Sequence, residues 1–243
     1  GIGSGVILAT GDVFVAEPPN LGDGDGFGNA SLLPDADLDA ELAAQGSTFT
    51  TQDTTYLQFD FQLDPGASQD LYFNFVFASE EYNEFANSLF SDIFGFFIDG
   101  QNIAFIPGTT TPITINTING GNPLGFNPQN AQYYHNNDPS DAGPLVDYLG
   151  YDGYTDVFTA QALGLSAGIH TIKLAISDVT DFALDSAVFL QIGSFANVPV
   201  GQIIPPRPGD WRSVEIDQNA HDRNVAVATE SETGNATISG INE

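Results

Sequence analysis

The chain has 243 residues, of which 32 are Asp or Glu and only 4 are Lys or Arg, giving a formal charge of −28. That balance argues against nucleic acid and anionic membrane as partners, because both repel such a surface. The absence of Cys excludes disulfides and thiolate metal sites. Disorder is excluded as well, since 42% of the residues are hydrophobic and 19 are Phe.

No run reaches the length of about 18 apolar residues that a membrane-spanning helix needs, so no direct membrane insertion is expected. The length fits one large all-β domain, or one domain with an appendage. A chain that opens at Gly1 without Met, and without a visible signal peptide, is expected to be a mature fragment or an excised module. An acidic chain free of Cys and Met, and rich in strand-forming residues, fits an extracellular bacterial protein held together by Ca²⁺, a hard ion that prefers oxygen ligands. Excess acid serving solubility alone, as on a halophilic surface, is the competing explanation.

In chain order, Ile7-Leu8 and Val13-Phe14-Val15 predict strand around a turn at Gly11-Asp12. Gly22-Asp23-Gly24-Asp25-Gly26 opens like a calcium loop, with Asp23 and Asp25 as candidate ligands. The twelfth position from Asp23 is Pro34 rather than a bidentate Glu, which rules out an EF-hand and keeps a solvated loop as the plainer reading. Asp35 to Gln45 predicts a short helix, its Asp35, Asp37 and Asp39 complementing the helix dipole. Alternating apolar residues predict strands from Thr48 to Leu63 and from Leu71 to Ala78. Ile93 to Ile98 and Ile103 to Ile106 predict a hairpin across Asp99-Gly100-Gln101-Asn102, followed by a strand from Ile113 to Ile118.

Asn119 to Gly150 is a long polar stretch interleaved with aromatics, either a recognition surface or a loop pinned to the core by its rings. Val157 to Leu163, Ile169 to Ser177 and Ala187 to Ile192 resume the strands. Pro199 to Gly209 predicts a stiff linker, so the expected division is a β-sandwich over 1–198 and a strand-bearing tail over 199–243. That tail is too small for its own core; it is expected to pack on the main domain or to lead into a next module of a longer multidomain chain. The expected fold class is all-β, with one or two short helices: a β-sandwich with long Asn/Gly/Tyr-rich loops.

Five motifs follow one another along the chain: Gly5-Val6-Ile7-Leu8-Ala9-Thr10-Gly11, Phe77-Ala78-Ser79-Glu80-Glu81-Tyr82, Asp92-Ile93-Phe94-Gly95-Phe96-Phe97, Asp152-Gly153-Tyr154-Thr155, and Asp178 and Asp181 followed by Asp185-Ser186-Ala187-Val188-Phe189. In this order they resemble the signatures of the choice-of-anchor L domain of bacterial surface proteins. The resemblance implies secretion, a β-rich fold and no known catalytic activity. A weaker resemblance to the peptide-binding modules of giant RTX-type adhesins implies a ligand on another cell.

Two acidic clusters stand at strand ends. Glu80 and Glu81 follow an aromatic strand, and strand alternation predicts that only one of them faces a given ion, with Glu80 preferred. Asp178, Asp181 and Asp185 lie between two later strands. Neither loop alone supplies the six to eight oxygens that Ca²⁺ takes, but two neighbouring loops can. Asp92, Asp99 and Asn102 are secondary candidates, although Asp99-Gly100 also reads as a plain turn. The candidate ligand-contact residues are Tyr82, Asn119, Tyr133, Tyr134, Asn136 and Tyr154. The expected function is calcium-dependent adhesion to a peptide, protein or glycan on another cell surface, by a module that is not an enzyme. In this reading an open calcium position can also take a ligand oxygen. A calcium-stapled spacer and a carbohydrate-binding module or two-carboxylate glycosidase are the alternatives. His135, His170 and His221 are too scattered for zinc, and no Gly-x-Ser-x-Gly elbow is present for a serine hydrolase.

Overall fold

Aromatic residues at every second position need a facing apolar layer, and the chain supplies it by stacking two antiparallel sheets. The structure is a computed structural model that describes residues 2, 4–22, 24, 33–66, 69–197, 199 and 225–229. The strands are β1 (Ser4–Ala9), β2 (Thr51–Leu63), β3 (Leu71–Ser79), β4 (Ile93–Ile98), β5 (Gln101–Asn102), β6 (Ile113–Thr114), β7 (Tyr134–Asn136), β8 (Gly153–Thr155), β9 (Phe158–Ala162), β10 (Gly168–Val179), β11 (Ser186–Gln191) and β12 (Val225–Thr229). One sheet runs β12-β1-β11-β3-β8-β7, with β9 also on β3. The other runs β2-β10-β4-β5, with β6 also on β4. The result is the expected all-β sandwich.

Between the sheets, Phe75 of β3 meets Phe94 of β4 at 5.1 Å between ring centroids and Phe158 of β9 at 5.8 Å. Phe73 stands edge-on to Phe96 at 5.4 Å. Burying each such ring contributes about 1.5–3 kcal/mol, and this layer is the main core.

The predicted helix is present as α1 (Ala36–Ala44), and its three acids have separate tasks. Asp35 caps it, its Oδ1 accepting from the backbone N–H of Asp37 and of Leu38 at 3.1 Å each, while its Oδ2 lies 2.5 Å from Lys173 Nζ. Asp37 holds the same ammonium at 2.7 Å, and Asp39 accepts from the backbone N–H of Thr51 at 2.7 Å. Leu38 and Leu42 then pack on Ile93, Phe97, Ala175 and Val179. Asp35→Ala is expected to cost about 1–2 kcal/mol, the usual loss for a helix cap. The check is a lowered urea midpoint with an unchanged slope.

Three predicted strands are shorter or absent. Val13–Ala16 is a 3₁₀ turn capped by Asp12. Ile103 to Ile106 does not continue the hairpin, because the Asn102 side chain accepts from the N–H of both Phe96 and Ala104 and bends the chain away. Ile113 to Ile118 keeps only two strand residues, since Thr114 and Thr117 close a turn in which Ile118 N–H donates to Thr114 O at 3.2 Å. In the predicted tail, β12 pairs antiparallel with β1, Ser4 opposite Thr229. Most of the predicted linker lies outside the described residues.

Candidate cation-binding site

At one end of the sandwich both sheets deliver carboxylates into the interior. Glu80 and Glu81 are each 1% exposed, Asp53 is 1% exposed, and Asp92, Asp178 and Asp185 are fully buried. Glu80 and Glu81 follow β3, which ends at Ser79; the Ser79 hydroxyl accepts from Glu81 N–H at 2.9 Å and turns the chain. Alternation therefore stops before the pair, and both acids enter the interior rather than one.

Asp92 precedes β4 and accepts from the Ser186 hydroxyl at 2.6 Å and from Val179 N–H at 3.1 Å. Asp178 sits beside a bulge in β10, where the register steps from Ile176 opposite Thr55 to Asp178 opposite Gln52. Within that step Asp53 adopts a left-handed φ of 48°. Asp185 follows a loop whose flanking residues Thr180 and Leu184 also have positive φ, 84° and 66°. Its carbonyl accepts from Glu80 N–H at 3.1 Å, which ties the two acidic segments together.

Desolvation governs the charges. Burial, then Asp92 and Asp181, pushes the Glu81 carboxyl up to about 10. Burial pushes Asp92 up to about 8 despite the opposing hydrogen bonds from Ser186 and Val179, with Asp181 and Asp185 adding repulsion. Asp178 is raised well above the carboxylate range by burial, then by Asp92, with Asp185 and Asp53 adding to it. The nearby Thr10 hydroxyl favours its charged form, yet neither oxygen of Asp178 has a partner in hydrogen-bond geometry. Half-buried Asp181 is raised by desolvation and forms the rim. The buried Tyr151 hydroxyl, beside Asp185, Glu80 and Asp178, also lacks a hydrogen-bond partner.

The described cationic side chains are engaged elsewhere, Lys173 with Asp35 and Asp37, His170 with Asp99, and His135 with Asp156. Oxygen-only donors of this kind suit Ca²⁺. Among the described residues no three Asp, Glu, His or Cys side chains close on one point as a finished metal shell.

The glycine at position 11 shapes this cluster. A Cβ there would stand 2.1 Å from Asp185 Oδ2, so only the missing side chain lets the carboxylate lie against the backbone. Gly11→Ala is expected to displace Asp185 and cost about 1–3 kcal/mol, as overpacking does. Denaturant unfolding measures it.

The remaining predicted residues are elsewhere. Asp23 and Asp25 lie outside the described residues. Asp99 is spent in the β4–β5 turn, its Oδ2 at 2.6 Å from His170 Nδ1 and its Oδ1 accepting from Thr171 N–H at 2.9 Å. Asn102 is the bend residue described above. Neither belongs to the acid cluster.

Tyr82 is a core residue, fully buried, its hydroxyl donating to Ile118 O at 2.7 Å. Asn119 is fully buried too, holding its loop through Ile115 O and the N–H groups of Gly121 and Gln129. Both are therefore corrected from ligand contacts to structural pins. Tyr133 packs edge-on to Phe158, and the half-buried Tyr134 donates to Asn83 Oδ1 at 2.5 Å. Asn136 accepts from Asn83 Nδ2 at 2.8 Å, and Tyr154 stacks on His135 at 5.0 Å. The long loop is thus largely fastened by its own aromatics and amides.

Sequence reasoning missed Asp53 and Tyr151 as members of the cluster, and it placed Glu81 behind Glu80. No sequence signal marks Asp53, because an acid in a strand ordinarily faces solvent, as Asp60 of the same strand does.

Fold and site together define a β-sandwich with a buried polyacidic end. The chain belongs to the choice-of-anchor L domain family, whose model matches residues 1–196. This membership assigns it to a surface-anchored class of bacterial protein. Comparison with curated proteins and with solved structures gives no match. No helix of the described residues is long and apolar enough to cross a membrane.

Proposed function

We propose that this domain is a calcium-stapled extracellular binding module of a bacterial surface adhesin. The observation that carries the reading is Asp178, wholly buried beside Asp92 and Asp185, with the Thr10 hydroxyl nearby but no cationic side chain among the described residues to balance its charge. A buried carboxylate among other carboxylates is either neutralised by a proton or balanced by a cation, and leaving it charged and alone costs several kcal/mol. Mutually repelling acids gain nothing from being gathered in one interior unless a cation balances them. Calcium would join loops from both sheets, at Glu80, Glu81, Asp92, Asp178, Asp181 and Asp185, and bind only the folded state.

The loops so fastened present apolar side chains to solvent. Leu89 is 41% exposed, Leu124 42% and Phe126 67%. Their loops are joined by Asn87 Nδ2 donating to Asn127 O at 3.0 Å, and the Thr180 hydroxyl links Leu89 O to the second acidic segment at 2.9 Å. This rim, rather than Tyr82 or Asn119, is the ligand-contact surface of the proposal, and a peptide or protein with apolar side chains is the matching class. Calorimetric calcium titration, followed by capture on peptide and glycan arrays with and without chelator, tests it. Calcium uptake with capture that requires calcium is the expected result. A protein that takes up no calcium overturns the staple. One that gains stability from calcium and captures nothing is a spacer.

A further inference from the structure

A second set of oxygens lies just before β8. Asp152 is held by Asn20, whose Nδ2 donates to Asp152 Oδ1 at 2.8 Å and to Asn137 O at 3.2 Å, while the neighbouring Tyr151 stands beside the acid cluster. Asn137 N–H donates to Asp152 O at 2.7 Å, so Asp138 begins one residue beyond the partner of Asp152. Asp138 and Asp152 are both fully buried.

The loop between them already has its fastening. Asn137 accepts from Leu145 N–H at 2.7 Å and donates to Leu149 O at 3.1 Å and Tyr151 O at 2.8 Å. Asp138 contributes one cap, its Oδ1 accepting from Ser140 N–H at 2.6 Å. Its Oδ2 is buried and has no hydrogen-bond partner. A Ser would cap Ser140 with its single oxygen and leave no second buried polar atom unpaired, so the cap does not explain an acid here. Asn20 Nδ2 bonds both the Asp152 carboxylate and the carbonyl of Asn137, the residue before Asp138, which sets the two acids on adjoining segments.

We propose that Asp138 and Asp152 hold a Ca²⁺ of their own, separate from the interior cluster, which clamps the root of the 138–152 loop. Asp138 Oδ2 is the anchoring ligand, the Asp152 carboxylate the second, and nearby amide oxygens with water complete a set of about six to eight. The consequence is that calcium orders this loop whether or not the interior cluster is filled.

The test counts calcium bound to the full chain by native mass spectrometry and follows limited proteolysis of the loop, in the wild type and in Asp138→Asn, Asp152→Asn and Asp178→Asn. Asn at 138 retains the oxygen that caps Ser140, so the fold is expected to persist. Asp138→Asn and Asp152→Asn are each expected to carry one ion fewer, and in saturating calcium to be cut in the loop as fast as wild type in chelator. Asp178→Asn is expected to keep that ion and the protected loop. A wild-type calcium count in both loop variants overturns the site, as does loss of one and the same ion in Asp138→Asn and Asp178→Asn. A wild-type count in Asp178→Asn alone sinks the interior staple and leaves this site standing.

Discussion

With calcium present, Asp178→Asn is expected to lower stability by about 3–5 kcal/mol, the loss typical of breaking a buried charge pair by removing one partner. In chelator the same substitution is expected to raise stability, by on the order of 1 kcal/mol, because a neutral amide no longer competes for protons with Asp92, Asp185 and Asp53. The two signs come from one residue, fully buried and raised far above its ordinary range by burial and by Asp92. Paired denaturation curves with and without chelator read both. A loss of equal size in both conditions would mean that Asp178 stabilises through ordinary packing, and the calcium reading would fail.

The second large effect is on pH dependence. In the metal-free protein Glu81 and Asp92 have folded-state values near 10 and 8, against 4.5 and 3.8 for the free side chains. Between those limits the folded state holds more protons than the unfolded one, so metal-free stability falls as pH rises from about 4 through neutrality. In the calcium-loaded protein the ion replaces those protons. Acidification therefore weakens calcium by about tenfold per pH unit for each proton displaced, and the calcium-dependent gain shrinks from pH 8 to pH 5. General repulsion within a chain of charge −28 also eases on acidification, but equally in both samples, so the difference in melting temperature is the quantity to follow. At calcium about a thousandfold above Kd that difference corresponds to about 4 kcal/mol per site at pH 8. A gain independent of pH would remove Glu81 and Asp92 from the site.

Much of the sandwich was legible because its long strands alternate cleanly. Phe73, Phe75 and Phe77 could only be one face of β3, and β10 and β11 carry equally plain patterns. Short strands were not legible, since a side chain can replace a ladder bond, as Asn102 does at Phe96. The acids announced themselves by outnumbering cations, and the meeting of Glu80 with the Asp178 to Asp185 segment followed from loop arithmetic. Period-two logic misled where the strand had already ended, at Glu81, and it was blind to the bulge that brings Asp53 inward. Tyr82 and Asn119 look like recognition residues by type, yet both are buried pins. Burial of a polar side chain inside a long loop depends on partners distant in sequence, such as Ile118 for Tyr82.

The pairing of β12 with β1 has a mechanical meaning. Ser4 lies opposite Thr229 and Leu8 opposite Val225, so the entry of β1 and the exit of β12 are at the same end of the ladder. Tension applied there loads the inter-strand bonds one after another, as in opening a zip, instead of all together in shear. Under such a pull β12 would peel away at low force and lengthen the chain between the two points of pull. The β1–β11 ladder, with Gly5 opposite Gln191, would be next in line.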